Sequence, residues 1–318
     1  MQSSTCSRDE VRRFIVENRP VRGHWVRLEG AWRELRAHHD YPQPVRELLG
    51  QAVAASVLLA ATLKFRGQLT LQLQGDGAVN LLVAQCTHDF RLRAVARYDQ
   101  SAIEALALPR AGERTPARAA SETFRRLVGS EGRFAVTVEA DERSVRYQGI
   151  VPLSGDSLAG SLEAYFARSE QLPTRVLLAA DETFGAGVLV QKLPEAAASE
   201  DSQLGEVWEQ AERGIERLRP EDLLRYPVEE LLGRGFAHHD MRLFRGAPVQ
   251  FECRCSHGRV TSLLRALGAN EVRDVLREQG SVTVTCEFCH RPYRFDEGDV
   301  EALFADDSVP GSNPSTIH

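Results

Sequence analysis

Four cysteines in two tight pairs constrain the end of this chain more than any other feature. In VQFECRCSHG, Cys253 and Cys255 are spaced C-x-C, and in TCEFCHRPYRF, Cys286 and Cys289 are spaced C-x-x-C. A 30-residue gap, residues 256–285, separates the pairs. Residues two apart in an extended segment point to the same side, so Cys253 and Cys255 can meet one ion. A C-x-x-C turn bends back to bring two more thiolates. Four thiolates in two short-range pairs match tetrahedral Zn²⁺, and we expect one zinc per chain on Cys253, Cys255, Cys286 and Cys289.

The alternatives are weaker. Two pairs of inert buried cysteines would be a coincidence for four of the six cysteines in the chain. A thioredoxin-like dithiol sits at a helix start after a strand, whereas Cys286 and Cys289 lie between the strand-like segments SVTVT and PYRF. His257 and His290 flank the thiols, but four cysteines suffice without them. Cys6 falls in the starting segment, and Cys86 lies within an apolar strand as a core residue. His38-His39 and His238-His239 read as surface loop residues.

The N-terminus MQSSTCSRDEVRRFIVENR has no apolar run of the kind a secretory signal needs. The longest apolar stretch, AVAASVLLAATL at residues 52–63, is too short to span a bilayer and reads as a buried helix. A cytoplasmic, reducing location follows, in which metal or redox chemistry outranks a disulfide framework. The net charge of −6 argues against a general binder of polyanions. Arginine carries nearly all the positive charge, since Lys64 and Lys192 are the only lysines.

The rest of the chain reads as an α+β protein. Residues 8–63 are expected to be largely helical, with a break near Tyr41-Pro42-Gln43-Pro44. From Gly67 the period changes to two. QLTLQLQ, AVNLLVAQC and RLRAVARYD make an antiparallel meander with Gly75-Asp76-Gly77 at the first turn. FAVTVEA pairs with RYQGIVPL, a helix covers about 156–169, and RVLLAAD pairs with GAGVLVQKL. This gives an N-terminal antiparallel sheet domain with packed helices over residues 1–194.

Residues 195–250 are expected to be a metastable helical linker. EAAASEDSQ is polar, and then Leu204, Val207, Ala211, Ile215 and Leu218 fall at helical spacing over 203–218. Residues 221–232 repeat the pattern more weakly around Pro227. Such short helices are marginal alone, so they must lean on a neighbour. Residues 251–305 form a small zinc module, and 306–318 a frayed tail. A structural zinc contributes about 10–16 kcal/mol of apparent binding free energy, against about 5–15 kcal/mol for a whole domain. The module should therefore unfold without it. Oxidation within each pair would close loops too small to replace the metal, making a switch, whereas pairing across the gap would make a clamp. Spacing alone does not choose between them.

With its cysteine pattern, Tyr293 and Phe295, and the segments LTLQLQGDGAVNLLVA, AYFARSEQLPT and GAGVLVQKLP, the chain resembles the bacterial 33 kDa redox-regulated heat-shock chaperonin family. The resemblance implies an ATP-independent holdase, inactive while reduced and zinc-bound. Oxidants would then close Cys253 with Cys255 and Cys286 with Cys289, the C-x-x-C pair sensing first. Zinc would leave, the module expected to support the helices of 203–232 would lose structure together with the linker, and surface for partly unfolded clients would be exposed. Leu204, Val207, Ile215 and Leu218 are the candidate client-binding residues. The oxidised form would be a homodimer.

Two other classes of function compete with this one. In a nucleic-acid-binding zinc ribbon, Arg254, Arg259, Arg265, Arg291 and Arg294 would contact phosphates. Glu252, Glu271, Asp274, Glu278, Glu287, Asp296 and Glu297 leave no basic face for that. An enzyme would need an open zinc position, which four thiolates do not leave. No G-x-x-x-x-G-K-[ST] loop supports nucleotide use.

Overall fold

In the computed structural model the N-terminal stretch is a β-hairpin, not part of the largely helical run expected over residues 8–63. Strand β1 (Glu10–Val16) pairs antiparallel with β2 (Val21–Leu28), and Asn18 takes a left-handed φ of 57° in the turn. Val11 and Phe14 sit three apart, as on a helix, but the segment is rich in β-branched residues and Pro20 interrupts it. Tertiary pairing decides between the two periods. The structure describes residues 9–106, 117–140, 146–153, 156–194, 203–237 and 239–305, without the side chains of 117–120, 146 and 203–205. Cys6, His238, the polar stretch 195–202 and the tail 306–318 lie outside the described residues.

After α1 (Gly30–Arg36), the chain enters α2 (Gln43–Thr62), buried on nearly all sides. A helix apolar all round must lie in a core or a membrane. This one, long and apolar enough to cross a membrane by composition, lies between two sheets and packs on strands of both. The meander follows as β3 (Gly67–Gln74), β4 (Val79–Thr87) and β5 (Arg91–Tyr98). Helices α3 (Gln100–Glu104) and α4 (Ala117–Val128) precede β6 (Arg133–Ala140) and β7 (Arg146–Pro152). At the expected Gly75-Asp76-Gly77 turn, a Cβ on Gly75 would lie 2.2 Å from the Val128 carbonyl oxygen. The turn is thus packed against the end of α4, which explains its glycine. Helix α5 (Leu158–Tyr165), continued by a π-helical turn over Phe166–Glu170, leads to β8 (Thr174–Ala180) and β9 (Gly185–Lys192).

Then come α6 (Gln203–Arg217), α7 (Pro220–Arg225) and α8 (Val228–Gly235), followed by short strands β10 (Met241–Leu243), β11 (Ala247–Pro248) and β12 (Gln250–Phe251). One sheet runs β10-β1-β2-β9-β8, with β11 also pairing β1, and the other runs β12-β5-β4-β3-β6-β7. All pairs are antiparallel except β12 with β5. The α+β class expected from the sequence is what the structure has.

The first sheet is covered on both faces. Val26, Leu28 and Leu189 face the core around α2, while Phe14, Trp25, Val188 and Val190 share a second core with α6–α8. The neighbour on which the linker helices lean is thus this sheet, where the zinc module was expected to be their support. Helices α6 and α8 cross closely at glycines, and a Cβ on Gly214 would sit 2.5 Å from the Gly235 carbonyl oxygen.

The chain divides into two compact units at Glu252/Cys253. The second contains α9 (His257–Leu267), α10 (Ala269–Gln279), the hairpin β13 (Val282–Thr285) with β14 (Pro292–Phe295), and α11 (Glu297–Ala305). Its core is small: Val260, Leu264, Val272, Val282, Phe295, Val300, Leu303 and Phe304. Arg273 on α10 grips Glu301 on α11 through two bonds of 2.8 and 2.9 Å.

Candidate metal centre and the helices before it

The hairpin and the extended segment before α9 each present two thiols. Cys286 to Arg291 form the turn between β13 and β14, closed by Cys286 N–H donating to the Arg291 carbonyl at 3.0 Å. His290 N–H donates to the Cys286 carbonyl at 2.8 Å, and the φ of His290 is 51°, so the turn reverses sharply. Cys253 and Cys255 lie just ahead of α9, whose first turn is capped by Ser256 accepting the Arg259 N–H.

The four Sγ atoms lie within 4.8 Å of one another. Cys253 Sγ is 3.7 Å from Cys286 Sγ, and Cys255 Sγ is 3.5 Å from Cys289 Sγ. A tetrahedron of sulfurs each about 2.3 Å from zinc has edges of about 3.8 Å, so these residues fit the ion. The separations are far above a disulfide bond of about 2.0 Å, and all four thiols are free. The cross-motif contacts are what a tetrahedron requires and select no disulfide pairing. His257 packs against Phe295 with ring centroids 4.9 Å apart and planes tilted by 37°, and lies outside the cluster, as does His290.

The thiols are not equivalent. Burial would raise Cys255, but bonds from Tyr293, Cys289, Cys253 and Cys286 outweigh it and bring it down to about 7. Burial dominates at Cys289, which is pushed up to about 12, and at Cys253, which is also raised. Cys86, inside β4 and fully buried, has its thiol driven far up by desolvation. It is the core residue that the sequence suggested.

Of the candidate client-binding residues, Val207, Ile215 and Leu218 are buried in the seam between α6–α8 and the first sheet. The side chain of Leu204 lies outside the described residues. Arginines that sequence reasoning missed clasp this seam. Arg27 on β2 donates to the Leu224 carbonyl at 2.7 Å and the Tyr226 carbonyl at 3.4 Å, with its guanidinium 3.9 Å over the Phe184 ring. Arg12 on β1 pairs with Glu229 at 2.8 Å, and Arg175 on β8 with Glu212 at 3.0 Å. In the same seam the Trp25 Nε1–H is buried and has no partner among the described residues. The alternation of β2 places Trp25 and Arg27 on one face, a signal available once that stretch is taken as a strand.

The sequence profile described as Hsp33 protein matches residues 9–296. A 33 kDa chaperonin of Nitrosococcus oceani is 41% identical over 312 residues, covering 98% of this chain and 99% of that protein. A 33 kDa chaperonin of Methylobacillus flagellatus is 40% identical over 307 residues, covering 96% and 98%. The crystal structure of the 33 kDa chaperonin (heat shock protein 33 homolog) of Thermotoga maritima shares the fold. Its TM-score is 0.77 at 23% identity, over 94% of this chain and 99% of that one. With the thiol cluster and the two-sheet architecture in place, and relatives matched over nearly their whole length, the chain belongs to the Hsp33 protein family, a family of chaperones and not of enzymes.

Proposed function

We propose that this chain is a redox-controlled holdase whose off state is held by zinc on Cys253, Cys255, Cys286 and Cys289. The observation that carries the proposal is the four-sulfur cluster at tetrahedral spacing in a module with a very small core. Zinc would supply a cross-link among four thiolates that no other contact in so small a unit replaces. Two equivalents of peroxide or hypochlorite take the four thiolates to two disulfides, and the oxidant is reduced to water or chloride. The pairing we propose is local, Cys253 with Cys255 and Cys286 with Cys289, as the family resemblance implies. Sulfurs so paired no longer hold the ion, and the module loses its staple.

The consequence for the helices travels along the chain. Their apolar faces rest on the first sheet, so the route from the cysteines is the strap of β10, β11 and β12. Its last strand is held to β5 by two residue pairs, Gln250 with Arg91 and Phe251 with Leu92, and Cys253 follows at once. When the helices leave, two apolar faces open to partly unfolded clients, one carrying Val207, Ile215 and Leu218 and the other, on the sheet, carrying Phe14, Val16, Trp25 and Val190. The seam's unpartnered Trp25 N–H and its surface ion pairs keep it weak enough to open. The protein works in the cytoplasm without nucleotide, and the oxidised form is a homodimer.

Light scattering of a heat-denatured client, with zinc release and disulfide mapping in parallel, tests this reading. Suppression only by the oxidised, zinc-free protein is expected. Equal protection by the reduced, zinc-loaded protein would rule out the switch.

A further inference from the structure

Tyr293 stands on β14 opposite Val284, with its ring packed on the module core, and its hydroxyl donates to Cys255 Sγ at 3.1 Å. Cys253 and Cys289 take hydrogen bonds from backbone N–H groups, those of Cys255 and Arg291. Backbone donors come with the fold of the loop. The Tyr293 hydroxyl is a single side-chain group, removable without touching the backbone or the ring.

We propose that Tyr293 is a positioning residue of the metal centre: its hydroxyl holds the Cys255 sulfur in place for zinc and slows its oxidation. The inference rests on the zinc-switch reading above and assigns a regulatory group to the same site. The geometry gives two effects. First, a partner that fixes a ligand's orientation is commonly worth a factor of about 10–100 in metal affinity. Second, a thiolate lone pair engaged by an O–H is less available to attack a peroxide. In that attack Cys255 Sγ takes one oxygen as a sulfenic acid while the O–O bond breaks and hydroxide leaves. The Cys253 thiolate then displaces hydroxide from that sulfur to form the disulfide. Tyr293 acts on the first of these steps, through the sulfur that attacks.

The test uses the full-length reduced protein and Tyr293→Phe, which keeps the ring. With Co²⁺ in place of zinc, the thiolate-to-metal charge-transfer band should shift in Tyr293→Phe, because that band reads electron density on sulfur. Competition against a chelator should show zinc held about tenfold or more weakly. At a fixed peroxide concentration the Cys253–Cys255 disulfide should form several times faster. Tyr147→Phe, which removes a hydroxyl from β7 in the other unit, should match wild type on all three. A Tyr293→Phe protein equal to wild type on all three readouts would overturn the proposal and leave the zinc switch standing. A lower melting temperature with an unchanged cobalt band and peroxide rate would overturn it too, as the hydroxyl would then be a structural contact. A wild type that takes up no zinc would remove the metal reading and this proposal together.

Discussion

Like charges held close together oppose one another, so the environments of Cys253, Cys255 and Cys289 decide how readily each ionises. Cys255, served by Tyr293 and by its fellow thiols, gives up its proton near pH 7, while Cys253 and Cys289 hold theirs above it. Zinc needs thiolates, so at neutral pH its binding must expel the protons that Cys253 and Cys289 retain. Zinc affinity should therefore fall as pH falls from about 8 to 6, with protons released to the buffer on loading. Chelator competition across that range checks it, and a flat profile would contradict the assignment. The ligand set was legible in the sequence because C-x-C and C-x-x-C are short-range patterns that fix local geometry. The Tyr293 bond was not legible, because it depends on the hairpin register that brings β14 alongside β13.

The helices α6–α8 illustrate what element-level reading can and cannot supply. Val207, Ala211, Ile215 and Leu218 fall on one face, and all are buried, as helical spacing anticipates. Amphipathicity says that a face will be covered and not by what. The cover is a sheet assembled from strands at residues 10–28 and 174–192, the first of which falls in the stretch expected to be largely helical. Arg27 is a point at which this docking can be loosened without touching the cysteines. It satisfies carbonyls at the end of α7, where a cation also complements the helix dipole. Arg27→Met should cost the docked helices about 1–3 kcal/mol. In the reduced, zinc-loaded protein, hydrogen exchange over 220–235 should rise while exchange in α2 stays put. Unchanged exchange in α7 and α8 would show that the clasp contributes nothing.

Across the whole molecule, the second sheet draws on the continuous stretch 67–152 plus β12, whereas the first joins strands from both ends of its unit. Side-chain bonds such as Arg22 to Gln191 span 169 positions. Non-local pairing of this kind makes folding slow, and the first sheet should close after the second. Within it sits His24, buried beside Thr62 Oγ1 at 3.3 Å and near the cations Arg22 and Arg13. Desolvation first, then those arginines, lower its imidazole from the usual 6.5 to about 4. A folded-state value below the unfolded one means that this contribution is complete above pH 6.5. It is lost as pH falls towards 4, to a total of roughly 3 kcal/mol. Urea unfolding of the first unit should show that decline, and His24→Asn should flatten it. A variant with the same slope as wild type would clear His24 of the effect.

The seam between the helices and the sheet also makes the protein its own optical gauge. Of the three tryptophans in the chain, Trp25 and Trp208 face each other's elements across that seam. Trp32 is sealed in the other core with its N–H on the Asp181 carbonyl at 2.9 Å. When the helices come away, the first two indoles pass from an apolar environment into water, and the third does not. Intrinsic emission should therefore move to the red in step with undocking, with no label attached. In a Trp25→Phe, Trp208→Phe protein, where Trp32 alone emits, the shift should vanish. Zinc loss and client protection without any movement of the wild-type spectrum would mean that the helices had never left the sheet.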